Sequence, residues 1–274
     1  MRGYKTWGEG IMSGLKEKKL FLLDMDGTIY LDNELFDGTT DFLRYVKSIG
    51  GRYIFLTNNS SKSVDKYIEK LKNLGIESTA DDFLTSTNAT VLFLKKKNYQ
   101  KIYALGTKSF VEQLESSGLN ITTKREEGIE CLVMGFDTEL TFSKLEDACI
   151  LLKDDIAYVA TNPDWVCPTW YGFVPDCGSV AEMIYNATKK RPEFIGKPQP
   201  AMAQLAMEKT GFSQEETVLI GDRLYTDIAC GVNAGISTIF VLSGEGTMED
   251  LKKSPEQPEF VYENIKKVYE DMIK

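Results

Sequence analysis

Leu20-Phe21-Leu22-Leu23-Asp24-Met25-Asp26-Gly27-Thr28 decides how the rest of the chain is read. Four apolar residues in succession suit a strand buried on both faces, as in a parallel sheet. The run stops at two carboxylates one residue apart, and a Gly-Thr turn follows. An ionised carboxylate buried without a partner is costly, and two at one strand end repel, each raising the other's pKa. A cation between them relieves the repulsion, as does a proton on one of the two. Either arrangement is a chemical site. The competing account is a solvated turn, since Asp, Gly and Thr all form turns.

Three further segments end in the same way. Thr217-Val218-Leu219-Ile220, roughly 200 residues further on and so outside the span of a typical domain, runs into Gly221-Asp222-Arg223-Leu224-Tyr225-Thr226-Asp227. Tyr53-Ile54-Phe55-Leu56 ends in Thr57-Asn58-Asn59-Ser60, a set of hydroxyl and amide groups. Gly196-Lys197-Pro198 places a lysine in a turn between Phe194-Ile195 and a helix opening near Pro200. Carboxylates, small donors and one lysine at successive strand ends compose a site for Mg²⁺ and a phosphate. Hard oxygen ligands suit Mg²⁺, which takes one or two carboxylates together with substrate phosphate oxygens. Four segments of matching chemistry outweigh the solvated-turn account of any one of them.

Strand and helix patterns alternate along the whole chain. Residues 39–49 carry Phe42, Leu43, Val46 and Ile49 on one helical face, and residues 63–74 form a helix closed by Gly75. Strands are predicted at 53–56, 102–105, 131–136 and 156–160, with helices at 87–96, 108–116, 143–152 and 179–189. The core pattern returns at 194–195, 201–209, 217–220, 227–234 and 236–242, with a last helix at 263–273. Such alternation predicts an α/β fold, a parallel sheet with helices on both faces. Ligands then bind beyond the carboxyl ends of the strands, where strand order reverses. The middle block repeats β and α elements but carries none of the four segments. The predicted organisation is an N-terminal extension (1–17), a core begun by 18–85 and completed by 191–274, and a smaller α/β domain inserted at 86–190.

Composition narrows the function classes. The net charge of −9 argues against a nucleic-acid or acidic-membrane partner, and an anionic substrate then needs a local positive site, which Lys197 and a metal would supply. The chain has no histidine, so His triads, His-containing zinc sites and phosphohistidine chemistry are excluded, and proton transfer falls to carboxylates, Lys, Tyr or Cys. Five cysteines without a Cys-x-x-Cys pair point to a reduced, cytoplasmic protein. No apolar run reaches the roughly 20 residues of a membrane span. The first eleven residues lack the apolar centre of a signal peptide, so Met12 is the expected initiator and 1–11 a poorly ordered extension.

In order along the chain, Asp24-Met25-Asp26-Gly27-Thr28, Thr57-Asn58-Asn59, Gly196-Lys197-Pro198 and Gly221-Asp222…Asp227 resemble the four motifs of the haloacid dehalogenase (HAD) superfamily. The Thr-Asn-Asn, Gly-Lys-Pro and Gly-Asp-Arg forms are similar to the branch of NagD-like, p-nitrophenyl, pyridoxal phosphate and phosphoglycolate phosphatases. The likeness runs from about Lys18 to the C-terminus and touches Ala160-Thr161-Asn162-Pro163-Asp164. It implies a Rossmann-like core with an inserted type-2 α/β cap, and a Mg²⁺-dependent phosphatase acting through an aspartyl-phosphate. Asp24 is then the nucleophile and Asp26 the general acid and base. Asp24, Asp222 and the main-chain carbonyl of Asp26 are the metal ligands. Thr57, Asn58, Asn59 and Lys197 hold the phosphate, Lys197 also facing Asp24. Asp227 orients the metal waters or Lys197, against a competing role as N-cap of a helix beginning at Ile228.

Other candidates have plainer accounts. Cys230 reads as a small buried residue, and Asn162-Pro163-Asp164 as a turn. Trp165, Trp170, Tyr171 and Phe173 are expected to pack between cap and core, with stacking on a planar leaving group as the alternative. The expected partners are a small phosphorylated metabolite (nucleoside monophosphate, pyridoxal phosphate, phosphoglycolate or sugar phosphate) and a second copy of the chain through the cap. A phosphotransferase or phosphomutase on the same core, or a metabolite-binding regulator without turnover, is the alternative function.

Overall fold

The computed structural model describes residues 12–169 and 171–274; the expectations for residues 1–11 and for Trp170 lie outside the described residues. The chain forms two compact units. One comprises residues 12–57, Ile68–Leu84 and Lys197–Lys274, the other Asn58–Tyr67 and Thr85–Gly196.

In the first unit, Leu20–Leu23 is buried along its whole length and lies between Thr217–Gly221 and Arg52–Thr57, parallel to both. The full strand order is Phe260–Tyr262, Ser237–Val241, Thr217–Gly221, Leu20–Leu23, Arg52–Thr57, Phe83–Thr85. From Leu20–Leu23 the chain builds outward through Arg52–Thr57, then returns to add Thr217–Gly221 on the opposite flank and builds outward again. Strand order therefore reverses between Leu20–Leu23 and Thr217–Gly221, and the residues that follow these two strands share one crevice. Helices Thr39–Ser48, Ala201–Thr210 and Ile265–Met272 flank the sheet. Thr39–Ser48 buries Phe42, Leu43 and Val46, the one-sided spacing of an amphipathic helix. The Phe42 ring meets Phe21 edge-on, with centroids 5.5 Å apart.

The second unit has its own five-stranded parallel sheet, in the order Glu193–Phe194, Ala157–Ala160, Cys131–Met134, Ile102–Leu105, Ile121–Thr122. Leu132, Met134, Ala148 and Ile184 belong to its core. The helices Lys108–Ser116 and Phe142–Leu151 start at Thr107 and Thr141, whose side chains accept the N–H groups of Phe110 and Lys144. Each such cap is worth about 1 kcal/mol. A two-stranded antiparallel hairpin, Val166–Thr169 with Gly172–Pro175, completes the unit.

Three findings differ from the sequence-based expectations. Phe194, expected to open the returning core, pairs with Ala160 in the second sheet; a two-residue apolar run has no periodicity to say which sheet it joins. The stretch after Thr57 groups with the second unit, tied there by polar bonds. Ser60 Oγ lies 2.9 Å from Thr161 Oγ1 and accepts the Phe136 N–H at 2.8 Å, and Ser86 Oγ donates to the Asn58 carbonyl at 2.6 Å. Trp165, Tyr171 and Phe173, expected to pack, are 52%, 64% and 63% exposed. Cys230 is buried as expected, and all five cysteines are free thiols. Among the described residues no helix is long and apolar enough to cross a membrane.

Candidate active site

The site of the first unit starts from Asp24, whose main-chain N–H donates to the Ile220 carbonyl at 2.9 Å and so ties the end of one strand to its neighbour. Lys197, 2% exposed, lies against it. Its ammonium donates to Asp24 Oδ1 at 2.6 Å, to Asp227 Oδ1 at 2.6 Å and to the Leu56 carbonyl at 3.0 Å, which places all three of its donors. Burial alone would lower the Lys197 pKa, but the Asp227 and Asp24 carboxylates overcome it and hold the group above its usual range, so it is charged.

Asp222 closes the opposite side of the cluster. Its Oδ2 accepts the Glu245 N–H at 2.7 Å, and Thr28 Oγ1 lies 3.5 Å from its Oδ1. The backbone crowds it from two directions, since a Cβ at Gly27 or at Gly244 would collide with its carboxylate. Gly27 also has φ +92°, which glycine adopts without strain, so the turn after Asp26 needs glycine on both counts. Ser243 Oγ fastens the two loops by donating to the Gly27 carbonyl at 2.7 Å.

Asp227 is fully buried inside a π-helical turn, Leu224–Ile228, and does not cap the following helix. Its Oδ1 accepts from Lys197, and its Oδ2 accepts the Arg223 N–H at 3.0 Å. Both oxygens of Asp227 are thus engaged by Lys197 and the Arg223 N–H, and the N-cap position of the following helix is Ile228, not Asp227.

Asp24, Asp222 and Asp227 each offer a carboxylate oxygen within 4.8 Å of the others. Burial, then the neighbouring Asp227, pushes the Asp222 carboxyl up to about 7. Burial and Asp227 also hold Asp24 well above the usual carboxylate range, against the pull of Lys197. Lys197 pairs with Asp24 and Asp227, so the three acids, when all ionised, exceed that ammonium by two charges. The donor set fits a hard divalent cation. Asp24 Oδ2 has no hydrogen-bond partner among the described residues and Asp222 Oδ1 has only the long contact to Thr28, whereas both oxygens of Asp227 are engaged. Asp24 and Asp222 would therefore hold the ion. Saturation with Mg²⁺ at about 100 times its Kd should stabilise the fold by about 2.7 kcal/mol. Asp222→Asn should lose most of that gain in a thermal or chemical melt; an equal gain in the variant would place the ion elsewhere.

Residues 21–120 match the family described as haloacid dehalogenase-like hydrolase, and residues 194–268 a second, HAD-hydrolase-like family. An acid sugar phosphatase of Staphylococcus haemolyticus (strain JCSC1435) is 31% identical over 252 residues, covering 92% of this chain and 95% of its own length. The structure of 4-nitrophenylphosphatase from Thermotoga maritima superposes with a TM-score of 0.88 at 40% identity, covering 94% of this chain and 98% of that one. NagD from E. coli K-12 gives 0.83 at 29% identity, with 91% and 97% covered. The chain belongs to the haloacid dehalogenase-like hydrolases, as a NagD-like phosphoric monoester hydrolase.

Of the residues singled out in the sequence of this NagD-like hydrolase, Asp24, Lys197, Asp222 and Asp227 come together in one cluster. Thr57 is buried at the end of Arg52–Thr57, the strand whose Leu56 carbonyl receives Lys197. The Asp26 side chain faces Tyr30 and Lys70. Asn58 and Asn59 belong to the second unit. Asn58 Nδ2 donates to Asp164 Oδ2 at 2.7 Å, and Asn59 Oδ1 accepts from the N–H and hydroxyl of Ser61. Asn162 and Asp164 are buried rather than forming an open turn, with Asn162 Nδ2 donating to both Asp164 and Asp176.

Ser243, Gly244 and Glu245 are site residues that the reading of the sequence passed over. Gly244-Glu245-Gly246, shortly after the apolar strand Ser237–Val241, was the available signal, close to the strand-then-glycine pattern that marks Asp222. Glu245 also pairs with Arg223 (2.8 Å) and accepts from Tyr225 Oη (3.3 Å), joining this loop to the turn that carries Asp227.

Proposed function

We propose that this hydrolase uses Mg²⁺ and cleaves small phosphate monoesters, sugar phosphates foremost, through an aspartyl-phosphate on Asp24. The observation that carries the proposal is Asp24 itself, a partly buried carboxylate with one oxygen held by Lys197 and the other left for chemistry, beside Asp222. An Asp24 oxygen attacks phosphorus as the bond from phosphorus to the leaving oxygen breaks, and Asp26 gives that oxygen its proton. In the second half, Asp26 takes a proton from water, whose oxygen displaces Asp24 and releases inorganic phosphate. Lys197 fixes Asp24 in line and offsets charge on the phosphoryl group, and the Thr57 hydroxyl donates to a phosphate oxygen. When bound, the divalent cation neutralises phosphoryl oxygens and the two acids that hold it. The main-chain carbonyl of Asp26 is its third proposed ligand from the protein.

Similarity over nearly the whole chain to an acid sugar phosphatase supports sugar phosphates as the substrate class, and the all-oxygen donor set supports Mg²⁺. Five free thiols support a reducing, cytoplasmic setting. The test is phosphate release from a panel of sugar phosphates, nucleoside monophosphates, pyridoxal phosphate, phosphoglycolate and p-nitrophenyl phosphate, with Mg²⁺ and with EDTA. Sugar phosphates should lead among the metabolites, with turnover lost in EDTA. Undiminished release in EDTA would remove the metal from the mechanism, and a different leading metabolite would replace the substrate class.

A further inference from the structure

Resting on the proposed role of Asp26 as acid and base, we propose that Lys70 and Tyr30 are positioning residues that aim the Asp26 carboxyl for proton transfer. The three side chains form a closed cluster within the first unit. Tyr30 Oη donates to Asp26 Oδ2 at 3.4 Å, and Lys70 Nζ lies 3.7 Å from Asp26 Oδ1. The same ammonium sits 3.6 Å from the centroid of the Tyr30 ring, held between an aromatic face and a carboxylate. Each oxygen of Asp26 thus faces a different partner, and the two partners brace each other.

The braces are themselves fixed. Tyr30 is fully buried, and its carbonyl accepts the Gly27 N–H at 2.8 Å, so its ring rides on the turn that carries Asp26. Lys70 projects from Val64–Asn73 next to the fully buried Leu71, and its side chain is only 20% exposed. A freely solvated ion pair contributes little. Here the ring restricts the lysine, and the lysine with the hydroxyl restricts the 36%-exposed Asp26 side chain, which would otherwise rotate freely into water. Contacts of 3.4 and 3.7 Å are longer than strong hydrogen bonds, so they orient the carboxyl without taking up the oxygen that must reach a leaving group.

The test measures kcat and KM for Lys70→Met, Lys70→Arg, Tyr30→Phe and Asp26→Asn on two substrates. One is p-nitrophenyl phosphate, whose leaving group scarcely needs a proton; the other is an alkyl phosphate that the wild type turns over. Misaiming the acid should lower kcat on the alkyl phosphate by about tenfold or more in Lys70→Met, and on p-nitrophenyl phosphate by less than about threefold, with KM little changed. Lys70→Arg should restore most of the loss, and Tyr30→Phe should show a smaller effect in the same direction. Equal losses on both substrates, or no rescue by arginine, would overturn the proposal. A fall of both rates together with the melting temperature would make Lys70 merely structural and would overturn it too. Asp26→Asn separates the two levels. If that variant shows no preference for the good leaving group, the assignment of Asp26 as the acid fails; if it shows one and Lys70→Met does not, only the positioning role fails.

Discussion

Asp24→Asn is expected to lower turnover of every substrate by about three to six orders of magnitude, the scale seen when an essential nucleophile is removed. The substitution keeps the volume of the side chain and replaces the attacking carboxylate oxygen with a carboxamide, which attacks phosphorus poorly. It also removes one of the acids that would hold the cation and one of the two carboxylates on Lys197. Lys197 keeps Asp227 and the Leu56 carbonyl, so the variant should remain folded and a melting curve should show it. Phosphate release in a single turnover measures the chemical step, and acid-quenched enzyme after a labelled substrate should carry label only with Asp24 present. Turnover within tenfold of wild type, or label retained by the variant, would assign the nucleophile to another residue.

Lys197→Met should be the most destabilising single change in the site. Lys197 is the ammonium between two acids, and removing one partner of a buried ion pair costs about 3–5 kcal/mol, because the remaining charge is left uncompensated. Here Asp227 is fully buried, so its carboxylate has no solvent to turn to. Turnover should fall by at least about a hundredfold, the scale of losing one fixed donor at a site of developing charge. Denaturant titration in EDTA measures the stability loss. Asp227→Asn added to Lys197→Met should recover part of it by removing the orphaned charge, while doing nothing for turnover. An unchanged denaturation midpoint in Lys197→Met, or no recovery in the double variant, would mean that the lysine does not offset the acids.

Both expectations concern residues legible in the sequence, and the reason is local. Leu20–Leu23 and Thr217–Gly221 are apolar runs too short for helices and too continuous for a one-sided strand, so parallel strands were the physical solution. Each ends at an acid that a buried strand cannot carry without compensation, and four segments of matching chemistry favoured a site over solvated turns. The alternation of such runs with helical periodicity determined the α/β class. The absence of histidine left proton transfer to carboxylates, Lys, Tyr or Cys.

Only the tertiary structure decided what those acids touch. Asp24, Lys197 and Asp227 lie far apart along the chain, and no local pattern states that one ammonium meets both acids; the reversal of strand order brings them together. For the same reason Asp227 could be read as a helix cap until the π-helical turn showed its oxygens committed to Lys197 and the Arg223 N–H. Glu245 and Lys70 were invisible because a main-chain N–H and a surface-type lysine acquire meaning only from the carboxylates they face. Phe194 and the segment after Thr57 joined the second unit through pairings with Ala160 and Thr161, long-range contacts that leave no periodicity behind. Side-chain volume and spacing determined which elements form; burial energies and charge compensation between distant segments decided where each one went.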